Sequence, residues 1–456
     1  MRKIEKIAAL CAAFALIVTA QACTGEGPDD TSDPETTSSP SATQADTPET
    51  FYDPPVTETG EIITPDTPTV FTILYSDASL RNEQIFAAEN APDGNPLKER
   101  DAALKSKFGV TLAGLKKDSL TEYVKALDSS GLYAFDFMLI TAGEGVSLFF
   151  AGRLQDLSEA GINVTPDTPG VNGSLTEASS FGGKVSLVFC DVLRSDIRAA
   201  YCIAADASSG SAKAAVTAKK AAESAISGEL TFSAFLELQK ELGSDEDREG
   251  FVLPDGKAAL ALIEAGGGRI FTSGTDGLPA ADISSSAFSK AYTAASALPH
   301  GSGDENGVFT VKKLGCISSG EGIIPLPKAD KDAEYRSLTD VSAASVLAAP
   351  NGVRYGKRLS GLLAALCECS EGVRKSEIKS LAEISGQEYS QQCAEIIVKS
   401  ECGESAAIFG WGNLDEYFGS GLLAGESLSE LTSAGTCKDR LKTVSAAVRI
   451  LSEKLG

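Results

Sequence analysis

An α/β fold is the first thing this sequence predicts, and three observations predict it. Apolar, β-rich runs at 70–75, 110–112 and 135–140 alternate with stretches whose apolar residues fall at helical spacing. That order indicates a parallel sheet with helices on its faces. Helix punctuation stands where the pattern needs it, with Asn95 and Pro96 at one start and Gly109 at its end. The 456-residue chain also has room for a second half of the same kind.

Taken in order, 70–75 reads as a strand closing at Ser76 and Asp77. A helix from Asn95 carries Leu97, Leu104 and Phe108 toward a core, and Gly109 suits its C-cap. A second strand follows at 110–112. Ser119 and Glu122 have capping-box spacing ahead of Leu120, Val124 and Leu127. The third strand, 135–140, closes into Thr141, Ala142, Gly143, Glu144 and Gly145. Residues 212–223 form an Ala/Lys-rich helix, Thr231 can cap a helix bearing Phe235, Leu238 and Leu242, and 258–265 form another. Leu359, Leu362, Leu363 and Leu366 make one helical stripe; Leu441, Val444, Val448, Leu451 and Leu455 make another. These stripes are core faces and carry no chemistry.

The N-terminus predicts export. Arg2, Lys3 and Lys6 precede an apolar run at 7–19, and Ala20, Gln21, Ala22 and Cys23 follow. This is the layout of a secretory signal, 1–22, too short to span a bilayer comfortably. Cys23 after small residues resembles a bacterial lipobox, which implies lipidation there and an anchor on the outer face of the cell membrane. Ordinary cleavage after Ala22 would instead release a secreted protein. Residues 24–68 are rich in Pro, Thr, Ser, Asp and Glu and hold no Lys or Arg. Such a linker cannot bury enough apolar surface to order itself, and a solvated spacer behind a lipidated cysteine favours the anchor.

Net charge is −23, with eleven of the acids in the linker and a signal of +2, so the remainder is only moderately acidic. Nucleic acid and anionic lipid are excluded as partners, since both need clustered Lys and Arg. Besides Cys11 and Cys23 there are eight cysteines, at 190, 202, 316, 367, 369, 393, 402 and 437. A chain of this size needs no staples, so mostly buried free thiols are expected, with one or two bridges allowed. Cys367 and Cys369 point in different directions on a helix, and His300 is the single histidine. No zinc pair results, and no metal or cofactor is expected.

Six segments carry a resemblance. They are Phe-Gly-Val-Thr at 108–111, Ala-Gly-Arg-Leu-Gln-Asp-Leu-Ser at 151–158, Phe-Gly-Gly-Lys-Val-Ser-Leu-Val at 181–188, and Gly-Glu-Leu-Thr-Phe-Ser-Ala-Phe at 228–235. Ala-Gly-Gly-Gly at 265–268 with Asp276 and Gly277, and Gly-Ile-Ile-Pro-Leu-Pro-Lys at 322–328, complete the set. Their order resembles family 1 extracellular solute-binding proteins, the capture subunits of ABC importers. The resemblance implies a two-lobed, periplasmic-binding-protein-like fold (type II) with a ligand cleft between lobes. It implies an N-terminal lobe of 69–192 plus 325–392 and a C-terminal lobe of 193–324 plus 393–456. It further implies a monomer that binds a small molecule, most often a sugar, and passes it to an ABC permease. The sugar chemistry is thinned here. Trp411 is the one tryptophan, Leu230 stands where the family often has Trp, and Val185 replaces an aromatic after Lys184.

Candidate ligand groups follow from those positions. Asp77 ends the first strand and Thr141 and Glu144 the third, although each also suits a plain turn. Asp191 lies beside the expected crossover, where it could meet ligand hydroxyls or merely cap a strand end. Trp411, flanked by Gly410 and Gly412, could stack on a ring or fill a core, and Glu416 and Tyr417 share that ambiguity. The acids of 245–249 form an incomplete calcium loop and read as a solvated turn. His300 has no nucleophile motif or second histidine near it, so no enzyme activity is expected.

Overall fold

The computed structural model describes residues 69–127, 133–162, 164, 168, 170–206, 212–242, 250–302, 307–353 and 356–455. The chain divides into two units, Met1–Asp53 and Pro54–Gly456, and every described residue belongs to the second. The signal, Cys23, the linker to 68 and the acidic loop at 245–249 lie outside the described residues.

The fold is α/β, built on two open sheets. The first runs in the order Ser345–Ala348, Phe137–Thr141, Thr69–Tyr75, Val110–Lys116. The last three are parallel, with Phe71 opposite Leu112 and Ile73 opposite Phe137; Ser345–Ala348 joins antiparallel, a late return of the chain. The expected β-α-β-α-β order is therefore realised. Asn95 accepts from the Leu97 and Lys98 amides, Pro96 opens the Pro96–Phe108 helix, and Gly109 ends it at φ 66°. Two local expectations are corrected. Ser119 caps Leu120–Ala126 through the Glu122 amide, but Glu122 does not reciprocate. The third strand begins at Phe137 rather than 135, because the Asp136 carboxylate accepts the Thr72 N–H at 2.8 Å.

Under this sheet Phe71, Ile73, Phe137, Leu139, Val188 and Leu347 pack against Leu359, Leu362, Leu363 and Leu366 of the thirty-residue Gly356–Ser385 helix. The predicted leucine stripe is thus a core face. Fully burying such a side chain contributes about 1.5–3 kcal/mol.

The second sheet is mixed, in the order Glu321–Ile324, Tyr201–Asp206, Phe309–Lys313, Phe251–Leu253, Gly301–Ser302. Phe235 sits edge-on to Phe251 and Phe309, with ring centroids 5.3 Å away in each case. The capping Thr231 accepts the Ala234 amide, as expected. At the far end of the chain, Gly435–Leu455 buries Val444 and Val448, while Leu441, Leu451 and Leu455 stay half-buried.

The chain crosses between the sheets at 189–200 and again at 325–344. The two crossings touch: the Asp340 amide donates to the Ala199 carbonyl at 2.9 Å, and Ala200 bridges Thr339. Residues 185–188 form no regular strand; only Val188 bridges, to Leu347. The Gly-Gly turn before them is tight, with Gly182 and Gly183 at φ 61° and 74°, and Phe181 bridging Lys184. All eight described cysteines are free thiols, so the permitted bridges do not form among them; six are buried, Cys369 is half-buried and Cys316 exposed.

Candidate functional site

A polar concavity lies beside the crossings. It is a cleft of about 490 Å³ lined by Asn172, Gly173, Ser174, Glu177, Asp191, Arg374, Val398, Lys399 and Glu401, with Val171 at its edge. Four separate stretches of chain supply these groups. Asn172 is the N-cap of the short Gly173–Ala178 helix, and its Oδ1 accepts the Leu175 amide at 3.2 Å. Asp191 follows Cys190, which bridges Val171, and its amide donates to the Gly170 carbonyl at 2.8 Å. Arg374 comes from the middle of the Gly356–Ser385 helix. Glu401 sits in the two-residue Glu401–Cys402 strand, paired in parallel with Ser337–Leu338 of the second crossing.

Arg374 gathers the acids. Its Nη1 donates to Asp196 Oδ2 at 2.9 Å and to the Leu193 carbonyl at 2.9 Å. Its Nε lies 3.3 Å from Asp191 Oδ1, and its Nη2 lies 3.5 Å from Glu401 Oε2. Glu401 Oε2 also accepts from Asn172 Nδ2 at 2.7 Å. Burial opposes the Arg374 charge, but Asp196, Glu401 and Asp191 outweigh it and hold its pKa above the ordinary value. Burial pushes the Glu401 carboxyl well above the usual range; the Asp196 charge adds to this, Arg374 opposes it, and Asp191 adds a further push. Asp191 is raised as well, by burial first, against the pull of Arg374. Glu401 Oε1 is buried without a hydrogen-bond partner. A buried carboxylate oxygen left so needs an explanation, and one that lines a cleft can find it in a ligand.

Of the seven ligand candidates from sequence, only Asp191 lies in this cleft. Asp77 is an exposed first-turn residue, paired with Lys116 at 2.8 Å. Thr141 and Glu144 spend their polar atoms on each other. Glu144 Oε2 accepts the Thr141 amide and hydroxyl, and Thr141 Oγ1 accepts the Glu144 amide, a reciprocal box opening Ala142–Phe150. Trp411 is 1% exposed, packed against Phe150, Phe181 and Phe409 at centroid distances of 5.9, 6.1 and 5.3 Å. It presents no open ring face to a ligand. Glu416 is exposed on the first turn of Leu414–Leu423. Tyr417 donates to the Leu431 carbonyl at 3.0 Å under the Arg440 guanidinium. His300 engages the Leu298 carbonyl two residues away.

Sequence reasoning missed Asn172, Arg374 and Glu401. Asn172 carried a legible signal, standing directly before a short helix. Arg374 lies in a charged helical run and Glu401 between two helices, where nothing local distinguishes them. Among the described residues no group of three or more His, Cys, Asp or Glu is arranged to hold a metal ion.

The chain is similar in structure to solute-binding proteins. An ABC substrate-binding protein from Listeria monocytogenes in complex with cycloalternan aligns at 12% identity and a TM-score of 0.44, over 83% of this chain and 100% of that one. A cyclo/maltodextrin-binding protein complexed with maltotetraose aligns at 15% identity and 0.47, over 85% and 98%. UgpB from Mycobacterium tuberculosis in complex with glycerophosphocholine aligns at 14% and 0.42, over 85% and 99%. No family model matches the chain, and no curated protein does.

Proposed function

We propose that this chain is an extracellular, membrane-anchored solute-binding protein of an ABC importer, capturing a small hydroxyl-rich solute, carbohydrate or close to it. One observation carries the reading. Asn172, Asp191, Arg374 and Glu401, drawn from four stretches of chain, converge on one polar cleft beside the crossings. Carboxylates, an amide and a guanidinium together offer both donors and acceptors to hydroxyl groups. Among the described residues no aromatic ring lines this cleft, so affinity rests on directed hydrogen bonds rather than stacking. The lobes are assigned as 69–192 plus 325–392 and 193–324 plus 393–456. The return of Ser345–Ala348 to the first sheet and the packing of Gly356–Ser385 on its core support that division. A site that takes Asp191 from the first crossing and Glu401 from the strand paired with the second can couple occupancy to hinge closure. The signal-like 1–22 and Cys23 support the anchor, and no reaction is assigned.

A thermal-shift panel of sugars, oligosaccharides, polyols and peptides tests the reading. A true ligand at 100 to 1,000 times its Kd stabilises the protein by about 2.7–4.1 kcal/mol. Asp191→Asn should reduce that gain. If no panel member shifts the melting temperature, the second reading takes over: a surface lipoprotein of the same fold acting as a scaffold or sensor partner. The buried Trp411, which leaves no stacking face, is the observation in its favour.

A further inference from the structure

The charge balance of the cleft narrows its ligand, given the solute-binding reading above. Three carboxylates, Asp191, Asp196 and Glu401, surround the single guanidinium of Arg374. Farther out, exposed Glu177 and Lys399 offset each other. With all three ionised the inner cleft would be short of positive charge by two, so burial and the Asp196 charge keep the proton on Glu401 until a cation arrives.

A cluster of acids alone would say little, because a solvated acidic face is common. Here the surplus is buried. Asp196 is wholly inaccessible, and Glu401, which lines the cleft, is 4% exposed with Oε1 unpartnered. Buried carboxylates normally find a partner, and an unmet oxygen costs the full desolvation of the group. The backbone leans the same way. Val398 and Lys399, at the C-terminal end of the ten-residue Ser390–Lys399 helix, line the cleft, and a helix C-terminus favours a cation.

We propose that the cleft selects a small solute carrying a protonated amine together with hydroxyls, an amino sugar in its simplest form, with the ammonium held by Glu401 and Asp191. The ammonium supplies the missing positive charge and the donor that Glu401 Oε1 lacks. The hydroxyls meet the side chains of Asn172 and Ser174. A neutral sugar of the same shape leaves the carboxylates unbalanced.

The experiment is calorimetric titration of the full mature chain with glucosamine, N-acetylglucosamine and glucose, at a pH that keeps the amine protonated. Glucosamine should bind about tenfold or more tightly than either neutral sugar, the worth of one charge-assisted hydrogen bond. Titrations in two buffers of different ionisation enthalpy should show proton release on glucosamine binding, as the ammonium displaces the Glu401 proton. Glu401→Gln matches the protonated acid in shape and should keep the fold. It should abolish both the preference and the proton release. Asp191→Asn, at a more accessible position, should weaken glucosamine at least threefold and leave glucose unchanged. Neutral sugars that bind as well as glucosamine, or any neutral panel compound that outbinds the best amine, overturn the inference and leave solute binding intact. No response from these three or from the wider panel overturns both.

Discussion

Two buried centres in this molecule are built from opposite materials, and the contrast shows which of them has polar groups left to offer a ligand. Around Trp411, Phe149, Phe150, Phe181 and Phe409 pack ring against ring with centroids 5.3–6.4 Å apart. Around Arg374 there are three carboxylates, an asparagine and a cleft. The first centre fills its own space. Only the indole Nε1 is left without a partner there. The second leaves space open and its charges unequal. A group that has met all its needs internally has little to offer a ligand, whereas an under-partnered one does.

The contrast can be broken at either end. The largest loss is expected from Arg374→Met. Removing one member of a buried ionic cluster costs about 3–5 kcal/mol, because the remaining charges stay buried unpaired. Urea unfolding should show that loss at neutral pH and a smaller one in acid, where protonated carboxyls need no partner. Ligand binding should vanish with it. Trp411→Ala should be comparably destabilising, about 3–5 kcal/mol from the cavity left among the phenylalanines. Its signature differs. In the folded protein, cleft affinity should stay within about threefold of the parent, since Trp411 does not line the cleft. A large loss of affinity there would make the aromatic cluster part of the site.

Thr141→Ala is the intermediate case. It breaks one reciprocal helix cap and should cost about 1 kcal/mol in unfolding free energy without touching binding. A specific binding defect would restore Thr141 and Glu144 as ligand groups.

The smallest stability change is expected of Glu401→Gln, and it is read from a slope. An acid whose folded pKa lies above its ordinary value holds its proton more tightly in the folded state. Its contribution is complete below the ordinary 4.5 and is lost as pH rises from there through the raised value. The parent should therefore lose stability over that window and the amide variant should lose less. Melting temperatures of the two across pH measure the difference. Asp340 works in the other direction. Burial alone would raise its carboxyl, but Lys257 and Lys313 hold it below the usual range. Its contribution is lost only as pH falls below the ordinary value.

Local grammar accounts for what was legible in the sequence. Asn95-Pro96 and Gly109 bracket a helix because the side-chain cap, the proline ring and the positive φ each need only their near neighbours. Thr231 caps its helix for the same reason. The leucines from 359 to 366 announce a buried face because periodicity survives any tertiary arrangement. Where a near neighbour could be replaced by a distant partner, the reading slipped. Asp136 turned to Thr72, and the strand began two residues late.

The site was less legible. Asp191 was named for its place at a crossover, and it lines the candidate cleft. Arg374 and Glu401 stand 183 and 210 positions further along. Their meaning comes from converging on the same carboxylates, and no local pattern encodes that. Trp411 taught the reverse. Flanking glycines suggested an open ring, and burial among four phenylalanines closed it.

By itself, then, the sequence determined the alternation of strands and helices, their caps and their apolar faces, because those obey rules of a few residues' range. Which charges face one another, which ring is sealed and which cleft stays open were decided by the tertiary structure alone. Electrostatic balance and burial are sums over everything nearby in space, and chain order does not list those neighbours.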